Sequence, residues 1–242
     1  MNNNLSDNLD FFKKNILENK NFNFVKIGDG EMLSMRFQKG RNIDLHPYSK
    51  SLGENTRKSF LFLMENKNSY IGDWFFSNPP INQMGRDNLK FFNSFIKDKK
   101  INFIRPFEVL MLGWGSEKTS DVLEFYRVIK NTKRNKIYVG PQRISKIKDV
   151  LSIDFFIEVP LINAYSKIEE IYNKIIPCLT KDSIIMYSVG LMSPVLINKV
   201  IAAETGTTNL DIGSGFDCLF YKQTRGNKQA TKQFAESYFK KI

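Results

Sequence analysis

The feature that most limits how this chain can fold is an alternation. Seven short runs rich in β-branched and aromatic residues recur along it: Phe22–Ile27, Ser69–Asp73, Ile101–Arg105, Lys136–Val139, Asp154–Val159, Ser183–Ser188 and Asn209–Ile212. Most of the intervals between them carry helical patterning. Residues 5–18 put Leu9, Phe12 and Ile16 on one face, and Asp121–Ile129 does the same with Val122, Phe125, Tyr126 and Ile129. Ser166 and Glu169 have capping-box spacing beside an apolar face of Ile168, Ile171, Tyr172, Ile175 and Ile176. Leu191–Ala203 is predicted as a helix with Ser193 as its N-cap and Pro194 at its first position. Strand–helix units of this length predict a Rossmann-like α/β fold, a mostly parallel sheet flanked by helices on both faces. Ligands in such sheets bind beyond the carboxyl ends of the strands. The residues just after each run are therefore the ones to examine.

Composition narrows the classes. The 242 residues suffice for a real core and read as a single domain over 1–242, with 1–20 as a lead-in helix and 222–242 as a basic C-terminal segment. Two cysteines without Cys-x-x-Cys spacing suggest no disulfide framework or zinc site, and a single histidine, His46, argues against multi-histidine metal sites. No apolar run approaches the roughly 18 residues that span a bilayer. The N-terminus lacks the pattern of a signal peptide, so a cytoplasmic protein is expected. The net charge is +11, and it is uneven: Phe125–Lys148 holds eight Lys/Arg and no acid. Such a surface favours anionic partners, among them phosphorylated small molecules and anionic lipid headgroups.

Several strand ends carry residues with chemical potential. After the first run comes Gly28-Asp29-Gly30-Glu31. In an extended segment residues i and i+2 point the same way, so Asp29 and Glu31 could share a divalent cation, with Gly28 and Gly30 allowing close approach of a ligand. The alternative is a plain Asp-Gly turn, with Glu31 opening a helix. Ser188-Val189-Gly190, followed by Ser193-Pro194, reads as an anion site at a helix N-terminus or as an ordinary loop. Gly140-Pro141 is a weaker case of the same kind. Arg105 is placed to fork onto phosphate or to make a surface ion pair, and Pro106 is expected to end the strand there. Trp74, Phe75, Phe76 and Trp114 could stack on a sugar or base, or pack under their loops. Asn209–Asp217, "NLDIGSGFD", looks like a methyltransferase glycine loop but reads better as a late strand carrying Asp211 and Asp217 towards a shared site.

Five of these stretches, in order from about residue 22 to 220, resemble the GT-D-type glycosyltransferases. That family has a strand ending in Arg/Lys-x-Gly-Asp-Gly-Glu, similar to Lys26-Ile27-Gly28-Asp29-Gly30-Glu31. Phe103-Ile104-Arg105-Pro106-Phe107 resembles a second family segment, and Pro160-Leu161-Ile162-Asn163-Ala164-Tyr165 a third. Val189-Gly190-Leu191-Met192-Ser193 is similar to a late Leu-Gly-Pro-Thr turn with the Pro and Thr displaced. Asp211-Ile212-Gly213 matches the closing segment, with Ser214 where the family has His. The resemblance implies a metal-dependent hexosyltransferase acting on a nucleoside-diphosphate sugar, with UDP-sugar favoured. The acceptor would be a glycan, glycoprotein or lipid-linked molecule. Asp29 and Glu31 would hold Mn2+ or Mg2+. Gly28, Gly30, Arg105, Gly140, Gly190 and Ser193 would bind the donor, and Asp73, Asp211 and Asp217 are candidates for the base. The basic tail could lie against an anionic membrane. Two other classes stand beside this one: an S-adenosylmethionine-dependent methyltransferase built on Asp211–Gly215, and a basic module for nucleic acid or phospholipid. No nucleic-acid motif is visible, and none is expected as a partner.

Overall fold

The computed structural model describes residues 5–38, 47–73, 82–99, 101, 104–106, 109–110 and 119–216. Seven strands form one sheet: β1 Asn23–Ile27, β2 Ser69–Asp73, β3 Ile104–Pro106, β4 Lys136–Gly140, β5 Phe155–Glu158, β6 Ile184–Tyr187 and β7 Thr208–Asp211. The helices among the described residues are α1 Leu5–Leu17, α2 Asp29–Met35, α3 Lys50–Glu65, α4 Gln83–Ile96, α5 Thr119–Asn131, α6 Ile147–Leu151, α7 Ile168–Ile175 and α8 Ser193–Ala202. The strand order is β3-β2-β1-β7-β6-β4-β5, and every neighbouring pair is parallel. Among the described residues no helix is long and apolar enough to cross a membrane.

Why these segments are strands follows from their position. Every residue of β1, β2, β4, β6 and β7 is buried, as expected of parallel strands covered on both faces. The two core layers divide by strand parity. Phe22, Phe24, Tyr138, Met186 and Leu210 face α1, α5 and α6, while Val25, Ile27, Val139, Ile185 and Tyr187 face α2, α3, α4, α7 and α8. The predicted faces of α1 and α5 are the ones buried: Leu9, Phe12 and Ile16 on α1, and Val122, Phe125, Tyr126 and Ile129 on α5. α1 is part of the core, with Phe12 stacked on Phe22 at 4.8 Å. A polar line runs across the sheet between the layers. Asn23 donates to Ser69 Oγ, Asn209 donates to Asn23 Oδ1, and Tyr187 donates to Asn209 Oδ1. Satisfied buried polar chains of this kind fix strand register, because a slip would leave each member unpaired.

Three local expectations are corrected. β3 ends at Pro106, one residue later than expected, with Pro106 paired opposite Asp73; β3 is an edge strand, where a missing N–H costs least. Ser166 does not cap α7. Its hydroxyl donates back to Asn163 O, because a 3-10 turn at Ala164–Lys167 precedes the helix, and Glu169 pairs with Lys199 instead. Ser193 is not the N-cap of α8. A 3-10 turn at Gly190–Met192 runs directly into the helix, so Ser193 is its first residue and Pro194 its second.

Candidate active site

At the carboxyl edge, the chain leaves the neighbouring strands β1 and β7 in the middle of the sheet. Strands β2 and β3 lie to one side of this pair, and β6, β4 and β5 to the other. Parallel sheets open a crevice where the connections run apart, and that is where such folds take ligands.

The end of β1 is short and definite. Gly28 has an ordinary extended backbone and is the N-cap of α2, which begins at Asp29. Asp29 and Glu31 therefore occupy the first turn of a helix, not an extended segment. At 100° per residue they diverge, so the reason given for their sharing a cation from strand-like alternation does not hold. Each has its own support. Glu31 Oε2 accepts the Gly28 N–H at 2.9 Å, which satisfies a free amide of the helix start. Asp29 Oδ1 accepts from Asn88 Nδ2 at 3.1 Å, and Asn88 Oδ1 accepts from Arg36 at 2.7 Å. Gly30 has a packing role. A Cβ there would lie 2.5 Å from Leu191 Cδ2, so the missing side chain lets α2 close on the turn that precedes α8.

The end of β7 is fastened from both sides. Asp211 Oδ2 accepts the Lys26 N–H at 3.2 Å, and Lys26 Nζ donates to Ile212 O at 2.8 Å while lying 4.0 Å from Asp211 Oδ1. On the other side Ser188 Oγ donates to Gly213 O. Gly213 has φ +54, and a Cβ there would stand 2.2 Å from Lys26 Nζ. The methyltransferase-like glycine loop is thus closed down on Lys26 and Ser188.

Electrostatics join the two strand ends. Burial pushes the Glu31 carboxyl above its ordinary range, and the negative charge of Asp211 adds to that push. Asp211 is also pushed up by burial, against the pull of Lys26 and of the Ser193 hydroxyl. Ser193 is fully buried, and its Oγ has no hydrogen-bond partner. Two carboxylates, one ammonium and one spare hydroxyl therefore meet where β1, β7 and α8 converge. Like charges held close in a buried site favour a cation or a shared proton.

The remaining predicted residues are distributed around this point. Asp73 is buried at the end of β2, in register with Ile27. Gly190 starts the turn before α8 with φ +61. Arg105 lies in β3, its backbone opposite Gly72 and two strands from β1. Gly140 ends β4, three strands from β1, and the space beside it is filled by Tyr138 and Ile144. Asp217, His46, Trp74, Phe75, Phe76 and Trp114 fall outside the described residues. Lys26 had a place in the sequence motif but no expected site role, and Asn88 was not singled out. Lys26 carried a signal, a lone cation inside an otherwise apolar run, which must find a partner when buried. Asn88 carried none.

No protein-family model matches the sequence, and no curated protein matches it significantly. Solved structures do share the fold. One is a selenomethionine-substituted domain of unknown function 1792, with a TM-score of 0.63 and 19% identity, covering 94% of this chain and 87% of the other. A second structure of that domain, described as having a distinct glycosyltransferase fold, superposes with a TM-score of 0.62 at 19% identity and the same coverage. The architecture is thus an open parallel sheet of the kind described there as a glycosyltransferase fold.

Proposed function

We propose that this chain is a glycosyltransferase that moves a hexose from a nucleoside-diphosphate sugar, UDP-sugar by preference, to a glycan, glycoprotein or lipid-linked acceptor. The observation that carries this reading is the gathering of Glu31, Asp211, Lys26 and Ser193 at the carboxyl ends of β1 and β7, in a sheet shared with a glycosyltransferase fold. Among the described residues no three His, Cys, Asp or Glu side chains are arranged to hold a metal ion, so Mn2+ or Mg2+ would need phosphate oxygens of the sugar donor to complete its coordination. Asp29 and Glu31 are hard oxygen donors in one helical turn, and the mutual repulsion of Glu31 and Asp211 is relieved by added positive charge. When bound there, such an ion would neutralise the diphosphate as a leaving group. Asn88 would hold Asp29 in position, and the Gly28 amide would orient Glu31.

In the transfer itself, the bond from the anomeric carbon to the diphosphate oxygen breaks. A bond to the acceptor oxygen forms, and the acceptor hydroxyl gives its proton to a base. Asp211 is engaged by the Lys26 amide and suits a positioning role. Asp73, at the neighbouring strand end, is the candidate base among the described residues. Gly190, Ser193 and Arg105 would bind donor oxygens. The charge of segment 222–242 suits an anionic membrane surface, and a cytoplasmic enzyme working at such a surface is consistent with a lipid-linked acceptor.

The test is a thermal-shift screen of nucleoside-diphosphate sugars with and without Mn2+, followed by a transfer assay on the best donor. Metal-dependent stabilisation by one nucleotide class is expected, lost in Asp29→Asn/Glu31→Gln. Full turnover by that double variant in the presence of a chelator would falsify the reading. Saturable binding of S-adenosylmethionine would favour the methyltransferase instead.

A further inference from the structure

The amino edge of the sheet, opposite the candidate active site, carries a concavity. It is a groove of about 1110 Å3 between the ends of α1 and α5 and the loops leading into β4, β5 and β6. Its acids are already engaged. Glu124 pairs with Lys13 at 3.4 Å, Asp154 accepts the Lys136 N–H at 2.7 Å, and Asp182 accepts from Asn21 at 3.1 Å. The carbonyls at the end of α5, which would repel an anion, are covered by Lys136 Nζ, which donates to Thr132 O at 3.0 Å.

The cations are a different matter. Lys133 and Lys181 are exposed in the groove and have no carboxylate within ion-pair distance among the described residues. Arg134, in the same wall, is only 7% exposed. Its Nε donates to Asp182 O, and its Nη2 donates to Asn21 Oδ1 at 2.6 Å and Thr208 Oγ1 at 2.8 Å. These bonds fix the guanidinium rigidly, yet Nη1 is buried without a partner. Burial lowers the Arg134 pKa to about 10, against the opposing pull of the Asp182 carboxylate. A fixed guanidinium with a spare N–H, behind two uncommitted ammonium groups, asks for a ligand that brings several acceptor oxygens and negative charge.

We propose that this groove binds a phosphate-bearing ligand, held by Lys133 and Lys181 with Arg134 behind them. The proposal is independent of the function assigned to the opposite edge. The ligand is a free phosphorylated molecule or a phospholipid headgroup, and the experiment separates them. Calorimetry with inorganic pyrophosphate is done in chelator, so that metal-dependent donor binding at Asp29 and Glu31 does not contribute. Saturable binding is expected, weakened about tenfold or more in Lys133→Glu/Lys181→Glu and unchanged in Asp29→Asn/Glu31→Gln. Both lysines are on the surface, and circular dichroism checks that the variant is folded. Co-sedimentation with phosphatidylglycerol vesicles forms the second arm. Vesicle binding that disappears together with pyrophosphate binding assigns the headgroup; pyrophosphate binding alone assigns a free ligand. Absence of pyrophosphate binding at millimolar concentration overturns the proposal, as does binding that the charge reversal leaves intact.

Discussion

Glu31 and Asp211 share an environment that has a measurable cost. Both carboxyls are raised above their ordinary values of 4.5 and 3.8, chiefly by burial. Each therefore binds its proton more tightly in the folded chain than in the unfolded one. As pH climbs past about 4, the unfolded chain releases those protons first, so it binds fewer protons than the native state and stability falls with pH. The fall ends once the folded groups have ionised as well. Melting temperature in chelator should drop across that window, and Glu31→Gln should show a smaller drop. Parallel curves for the two proteins would mean that Glu31 ionises unperturbed. At this scale the sequence was partly legible: Asp29 and Glu31 stood out from their place after an apolar run, and Asp211 from its place on the last strand. Asn88 did not, because a single Asn on a helix has no pattern. Only the approach of α4 to α2 gives it Asp29 on one side and Arg36 on the other.

At the scale of elements, the contact between α2 and the turn before α8 decides how the site closes. Gly30 sits within the helix, where alanine is ordinarily better by about 0.5–1 kcal/mol. The Leu191 side chain, 6% exposed, occupies the space a Cβ would need. Gly30→Ala should therefore be neutral or destabilising in the native chain. In a Leu191→Ala background it should stabilise by about 0.5–1 kcal/mol, although Leu191→Ala itself costs about 2–5 kcal/mol. Urea denaturation of the four proteins reads the sign change, and an equal effect in both backgrounds would show that the two elements do not press on each other. Strands were the most readable elements. Each of the seven runs overlaps a strand, because buried parallel strands leave β-branched and aromatic residues in the sequence even where, as in β2 and β7, polar residues are interleaved. Helix starts were less readable. Gly28–Glu31, Ser166–Glu169 and Ser193–Pro194 each had cap-like chemistry, and two of the three begin after a 3-10 turn instead. Whether such a turn is inserted depends on what the loop must pack against, here Leu191 and Met192 under α2 and α3, and local spacing does not carry that information.

For the whole molecule, the alternation predicted a parallel sheet but left the strand order open. That order depends on which helix crosses which face, a matter of long-range packing. The observed order puts β7 between β1 and β6, so that Asn23 pairs with Asn209 and Phe24 with Leu210 across most of the described sequence. Contacts this distant form slowly, because the intervening chain must first be ordered. Pulse-labelled hydrogen exchange during refolding should find the Asn209 amide, which donates to Phe22 O, protected later than the amides of β2 and β4. Simultaneous protection would remove β7 from the last step.

The same placement bears on how the protein is made. A ribosome delivers β1, β2 and β3 early and β4, β5 and β6 later, and each group can pair within itself. Their facing edges, one along β1 and one along β6, stay open until Thr208–Asp211 emerges. The β1 edge of a nascent chain is therefore open from early in synthesis, whereas the β6 edge is open only between the emergence of Ile184–Tyr187 and that of Thr208–Asp211. Chaperone dependence and loss to aggregation should therefore track the interval between synthesis of β1 and synthesis of its partner β7, as well as the stability of the finished fold.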